Sequence, residues 1–181
     1  MNYAAIKNND IANGPGVRVS LFVSGCTHQC PGCFNEEAWD FSYGEPFTQE
    51  TIDSILLMLA PPHMKGLTLL GGEPFEPQNQ PEILKLLRQV KSAYPEKSVW
   101  AFSGYLFEEI LSGKLGPMQI TEECLQYLDV LVDGRFVMAQ KDLTLRFRGS
   151  ANQRLIDVQA SLEKNEVVLW EDWQSNGKGM K

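Results

Sequence analysis

Gly25-Cys26-Thr27-His28-Gln29-Cys30-Pro31-Gly32-Cys33-Phe34-Asn35 packs three of the chain's four cysteines into eight positions, directly behind the apolar run Val17–Val23. A short apolar run bounded by turn residues reads as a buried strand. The thiols therefore stand on a loop at a strand end, where α/β proteins keep their chemistry. A chain of 181 residues buries a sizeable core without staples. In a reducing cytosol, so tight a cluster points to metal binding or catalysis rather than to disulfides.

Outward from this loop, strand and helix signals alternate. Ahead of it, residues 1–16 are polar and end in the turn-forming Asn13-Gly14-Pro15-Gly16. Behind it, Thr48 stands where an N-cap belongs, and Ile52, Ile55, Leu56 and Leu59 keep helical spacing until Pro61-Pro62. A second strand at 66–70 runs into Gly71-Gly72-Glu73-Pro74, followed by an amphipathic helix at 81–93 with Ile83, Leu86, Leu87 and Val90 on one face. The third strand, Ser98–Phe102, ends in Ser103-Gly104 before a short helix at 106–111. Thr121 caps a further helix through Tyr127, and a strand at 130–132 ends at Asp133-Gly134.

Four strand-turn-helix units imply a mainly parallel sheet. They are too few for an eight-stranded barrel of about 250 residues, so the expected fold is α/β, an open or partial barrel in a single domain. The turns at the strands' carboxyl ends predict one site at that edge. From Ala139 onward the pattern weakens to short strands at 143–147, 155–158 and 167–170, a hairpin turn at Lys164-Asn165 and a frayed tail at 175–181.

With 16 basic and 23 acidic residues, net −7, the chain lacks the cationic surplus that polyanion binding needs, so no nucleic-acid partner is expected. The N-terminus shows no secretory signal, and no apolar run approaches the roughly 18 residues of a membrane helix. The expectation is a cytoplasmic protein without membrane contact.

Soft thiolates select iron-sulfur clusters, zinc or cuprous copper. The spacing is Cys-x3-Cys-x2-Cys, with Cys124 a further 91 residues on, in a predicted helix. A structural zinc site wants four ligands and would have to recruit His28 or Cys124. A zinc-binding interaction module is thus the alternative of another class. Three clustered thiolates suit a 4Fe-4S cluster with one iron left without a protein ligand, where a substrate can bind.

Cys26-x3-Cys30-x2-Cys33 resembles the cluster motif of the radical S-adenosylmethionine enzymes, and Gly71-Gly72-Glu73-Pro74 resembles their GGE(P) motif after the second strand. Gly14-Pro15-Gly16-Val17-Arg18 is similar to a run ahead of the cysteines in the glycyl-radical activating enzymes. The stretches at 30–35, 132–136 and 148–154 resemble the branch that activates anaerobic ribonucleotide reductases. These motifs span 13–154, leaving 159–181 as an extension of unassigned role.

The resemblance implies a partial barrel of the radical S-adenosylmethionine type. S-adenosylmethionine would bind at the open iron of the 4Fe-4S cluster, and its reductive cleavage would give a 5′-deoxyadenosyl radical. That radical would take hydrogen from a glycine of the reductase large subunit, with a flavodoxin or ferredoxin as electron donor; a homodimer is left open. Alternatives within the same chemistry are an activase of another glycyl-radical enzyme, or a small radical enzyme acting on a metabolite.

Cys26, Cys30 and Cys33 are then the cluster ligands. Gly71, Gly72 and Glu73 would meet the methionine end of S-adenosylmethionine, and Gly32, Cys33 and Phe34 would lie beside the adenine. Ser103 and Gly104 could line the same site. Asp133 is either a cofactor or cation contact or a local cap, and Arg18 could equally pair with a carboxylate at the surface. His28 is expected in solvent or bonded to its own loop, and Cys124 as a buried small hydrophobe. Trp39, Phe41 and Tyr43 could cover the cluster or a partner surface. Arg146, Arg148 and Arg154 could receive an acidic part of a partner or be a solvated edge.

Overall fold

The computed structural model describes residues 1–171. Among them β1 (Asn2–Asp10), β2 (Val17–Val23), β3 (Glu45–Pro46), β4 (Met64–Gly71), β5 (Ser98–Phe102), β6 (Val130–Asp133) and β7 (Arg154–Asp157) form one sheet. Their order is β3-β1-β2-β4-β5-β6-β7. The helices are α1 (Gln49–Leu59), α2 (Gln80–Ala93), α3 (Phe107–Ile110), α4 (Met118–Gln126) and α5 (Val158–Lys164). The four middle strands β2, β4, β5 and β6 pair in parallel. The margins β1, β3 and β7 are antiparallel.

The expected strand-helix alternation is present, and the fold is α/β with a mixed sheet parallel in its middle. The margins correct the sequence reading. Residues 1–16 are not merely a polar lead-in: β1 lies there, its residues half-buried or exposed except Asp10. A strand outside the doubly covered middle needs no continuous apolar run, so its signal is weak. The 155–158 strand starts at Arg154 and stops at Asp157, whose side chain accepts from Ala160 N (3.0 Å) and caps α5. Lys164-Asn165 is not a hairpin turn but the end of α5, with Asn165 in the left-handed conformation. Residues 143–147 form an irregular loop, and 167–170 give only a bridge from Leu169 to Ile156. The 175–181 tail lies outside the described residues.

Thr48 caps α1 as read, accepting from Thr51 N (3.4 Å). Thr121 does not cap α4; it lies inside the helix, and its hydroxyl donates to Gln80 Oε1 (2.7 Å).

Alternation along each strand divides the sheet into two faces. Val19, Leu21, Val23, Leu67, Leu69, Val99, Ala101 and Leu131 join the helices' apolar residues in the main core. Trp100, Val130 and Val132 face the other way, with Phe102, Phe147, Leu155 and Trp170 packed against them. Trp170 lies 5.0 Å from Trp100, ring centre to ring centre, so the extension covers this second face as far as it is described. Arg18 is not at the surface: it is fully buried. Its Nε donates to Thr68 Oγ1 (2.7 Å), Nη1 to Ser98 Oγ (2.9 Å) and Nη2 to the Leu67 and Ser98 carbonyls (2.7 and 3.0 Å). Burial pushes the guanidinium down to about 10. No helix among the described residues is long and apolar enough to cross a membrane.

Candidate metal centre

The cysteine loop leaves β2 at Ser24 and is stitched closed at its base. Gly25 N donates to Ala38 O (2.8 Å) and Cys26 N to Trp39 O (3.1 Å), so residues 27–37 are held between two fixed ends. The turn after β4 docks on the same base, with Gly72 N donating to Val23 O (2.7 Å) and Glu73 N to Gly25 O (2.8 Å). The approach is so close that a Cβ on Gly72 would stand 2.6 Å from Gly25 O and 2.9 Å from Ala38 O. Glycine is required here because both obstacles are backbone.

Glu73 ties three strand ends together. It is 1 % exposed. One carboxylate oxygen accepts from Phe75 N (2.8 Å) and Ser103 Oγ (2.9 Å). The other accepts from Gly104 N (2.7 Å) and lies 3.1 Å from His28 Nε2. A carboxylate flanked by this many donors is held as the acceptor, so the imidazole N–H points to it. His28 is therefore neither in solvent nor bonded to its own loop. Its ring is buried, bridges to the second parallel strand's turn and packs edge-on against Tyr105, 4.2 Å between ring centres. Glu76, also buried, grips the next residue: its Oε1 accepts from Thr27 N (2.7 Å) and Thr27 Oγ1 (2.6 Å). Asn79 Nδ2 donates to Ser24 O (3.0 Å) and Glu73 O (2.9 Å).

Sequence reading missed Glu76, Asn79 and the role of His28. The available signal was the polar stretch Glu76-Pro77-Gln78-Asn79 ahead of the helix, where side chains without a helix to join must find partners elsewhere.

A cavity of about 510 Å³ opens at this edge. Cys26, Cys30, Gly32, Cys33 and Phe34 line it from the loop; Gly71, Gly72, Glu73, Ser103 and Gly104 line it from the strand ends. Trp39 reaches it as well, while Phe41 packs against Gly25 and the Tyr43 hydroxyl donates to Glu37 (2.6 Å). Asp133 stands outside the lining. Fully buried, it accepts from Phe107 N (2.8 Å) and pairs with Arg154, which also forks onto Glu108 (3.0 and 2.7 Å). Its carboxylate is thus spent on partners from two other elements, the first N–H of α3 and the Arg154 guanidinium, rather than on its own turn. Arg154 is thereby committed within the chain, and Arg148 Nη1 donates to Gln153 O (2.6 Å).

Burial pushes the Cys26 thiol up to about 11, with the charges of Glu73 and Glu76 adding to it and the N–H groups of His28 and Gln29 opposing. Cys30 is likewise raised by burial, opposed by the N–H of Phe136 and the charge of Arg135. Asn35 N donates to Cys33 Sγ at 3.4 Å. Cys33 Sγ thus accepts a backbone N–H, and the N–H groups near Cys26 and Cys30 favour their thiolates, the outer-shell pattern that suits ligating sulfur. Asn35 Nδ2, two residues past Cys33, is a buried donor without a partner.

These features fit a cluster. Among the described residues, no three His, Cys, Asp or Glu side chains converge as a single metal ion would require. A four-iron cluster gives each thiolate its own iron, so it does not need that convergence. Cys124 sits in the main core on the helix side, its Sγ 3.9 Å from Gln80 O, and does not line the cavity.

Residues 12–156 match the model of the 4Fe-4S single cluster domain family. The chain is also 43 % identical over 155 residues to the anaerobic ribonucleoside-triphosphate reductase-activating protein of Escherichia coli (strain K12), covering 84 % of this chain and 96 % of that one. The chain belongs to this family. Against the protein of the same name from Enterobacteria phage T4 the identity is 43 % over 157 residues, covering 86 % and 93 %. Against that of Vibrio cholerae serotype O1 it is 43 % over 155 residues, covering 84 % and 96 %. Membership makes the chain an iron-sulfur protein of the 4Fe-4S class.

Proposed function

We propose that this chain is an oxidoreductase that activates an anaerobic ribonucleotide reductase, with its sheet acting as a partial barrel of the radical S-adenosylmethionine type. When bound, the 4Fe-4S cluster and S-adenosylmethionine supply reductive carbon-sulfur cleavage and removal of a hydrogen atom from a glycine of the reductase, leaving a glycyl radical there. Cys26, Cys30 and Cys33 would hold the cluster through three of its irons. Cys124 is locked in the core behind the sheet and would leave the fourth iron open to S-adenosylmethionine. The open backbone of Gly71 and Gly72 is offered to the methionine end. The Glu73 carboxylate instead fixes Ser103, Gly104 and His28 around it. Gly32 and Phe34 stand on the loop side, where the adenine is expected. Electrons come from a flavodoxin or ferredoxin, as the family implies.

The observation that carries this reading is the placement of three thiols in one cavity at the carboxyl ends of parallel strands. The test is anaerobic reconstitution with iron and sulfide, then electron paramagnetic resonance with and without S-adenosylmethionine. The expected result is a reduced-cluster signal that changes on adding S-adenosylmethionine, and a glycine-centred doublet on adding the reductase. A protein without a cluster signal, or with one indifferent to S-adenosylmethionine, overturns the reading.

A further inference from the structure

One segment at the mouth of the cavity carries a charge opposite to that of the protein. The chain has net charge −7, yet residues 135–149 hold Arg135, Lys141, Arg146 and Arg148 against the single acid Asp142. Lys141 and Leu143 stand at the cavity edge. Large apolar side chains are open to solvent beside them: Leu143 is 88 % exposed, Phe34 82 % and Met138 49 %. Met138 lies directly over Gly32, so this loop and the cysteine loop form a continuous rim. Exposed apolar groups gathered at the edge of a reaction cavity mark an interaction site, unlike the same residues scattered singly.

We propose that the rim formed by residues 135–149 together with Phe34 is the docking surface for the glycine-bearing segment of the reductase. The segment it takes is extended, apolar where it meets Leu143 and Phe34 and acidic where it meets Lys141. This rests on the function proposed above and adds where, and by what chemistry, the protein substrate is held. The rim suits that segment better than an electron donor. An electron crosses a gap, whereas hydrogen transfer brings reacting atoms to roughly 3–3.5 Å. The polypeptide must therefore enter the mouth and be gripped at its edge. Redox encounters rely on small, transient interfaces, which have no need of protruding leucine and phenylalanine.

The test uses the cluster-loaded full chain and its cognate reductase, comparing wild type with Leu143→Asp, Lys141→Glu and the double variant. Three quantities are read: the dissociation constant for the reductase, the glycyl-radical yield with dithionite and, in parallel, with reduced flavodoxin as reductant, and the change in the cluster signal on adding S-adenosylmethionine. Each single variant is expected to weaken reductase binding about tenfold or more, with a matching loss of radical at sub-saturating reductase. Lys141→Glu should also flatten the salt dependence of binding. The response of the cluster to S-adenosylmethionine should persist in all three.

Binding within about twofold of wild type in both single variants, the resolution expected for near-neutral contacts, overturns the docking surface. So does a loss confined to reactions driven by flavodoxin, which would assign the rim to the electron donor. A lost response to S-adenosylmethionine would place the rim in cofactor binding and overturn it as well. A wild-type protein that binds the reductase yet forms no doublet sinks the proposed function instead, so the two failures are distinguishable.

Discussion

Two segments meet at the cavity and are built in opposite ways. From the end of β4 to the first residue of α2, the side chains of Glu73, Glu76, Asn79 and Gln80 are buried, and each makes at least two hydrogen bonds. Between β6 and β7, Lys141 and Leu143 stand in solvent, and bonds such as those from Thr144 to Asp142 are local. A buried polar network is stable only when every member is satisfied, which leaves it one arrangement. An exposed loop with local bonds can adjust to what it meets. The cysteine loop lies between the two, gripped from one side through Thr27 and His28 and touched from the other by Met138. Rigidity is placed where a cofactor must be held, and adaptability where a partner must be received.

The sharpest way to break this contrast is to remove the centre of the rigid side. Glu73→Ala strands four donors, those of Phe75, Ser103, Gly104 and His28, around a side chain that is 1 % exposed. With about 1–3 kcal/mol for each unsatisfied buried group, partly relieved by relaxation, a loss of about 3 kcal/mol or more is expected in urea unfolding of the apo protein. A midpoint unchanged from wild type would show that Glu73 organises nothing. Gly72→Ala comes next. Its added methyl meets two carbonyl oxygens that belong to stitched backbone, so the turn must lift off the cysteine loop at about 1–3 kcal/mol. Cluster content after reconstitution should fall in step.

Much of this was legible in the residues themselves. The middle strands stand out as apolar runs because both their faces are covered, and the helices announce their period because one face of each is buried. The cysteine spacing and the glycine pair mark the cavity because only those residue types serve there. The rest was hidden for physical reasons. β1 carries Asn2, Lys7 and Asn8 on a half-exposed margin and so lacks an apolar run. His28 looked exposed because its partner, Glu73, lies 45 residues away and meets it only through the folded sheet. Arg18 has no carboxylate partner to betray its burial; it is satisfied by a hydroxyl pair and two carbonyls.

Glu76→Gln probes the same network more gently, because the amide keeps an acceptor for Thr27. The change from a charged to a neutral acceptor is worth about 1 kcal/mol, and the fold should survive. Its electrical consequence is the more telling readout. Negative charge at Glu76 helps hold the Cys26 thiol high, behind the larger effect of burial. Removing it favours the thiolate, so the Cys26 pKa should fall from about 11 toward its ordinary value. Alkylation of Cys26 in the apo protein, followed by mass spectrometry across pH, should show reactivity rising at lower pH in the variant. The same lost charge should move the loaded cluster's reduction potential upward in a redox titration. Identical alkylation profiles would mean that Glu76 acts on the loop by geometry alone.

The smallest stability effect is expected on the adaptable side. Leu143 is 88 % exposed, and no hydrogen bond or ion pair ties its side chain to the fold. Exchanging Leu143 for Asp or Lys141 for Glu in the apo protein should therefore shift the unfolding free energy by no more than about 0.5 kcal/mol. If either change destabilised the protein as much as Gly72→Ala, the loop would be part of the rigid frame. A weakened grip on the reductase would then report a distorted cavity. A near-zero shift, set beside the loss expected from Glu73→Ala, would show that two segments lining one cavity divide their work. One spends its polar groups on holding a single geometry; the other holds Lys141 and Leu143 out in solvent, where a partner can engage them.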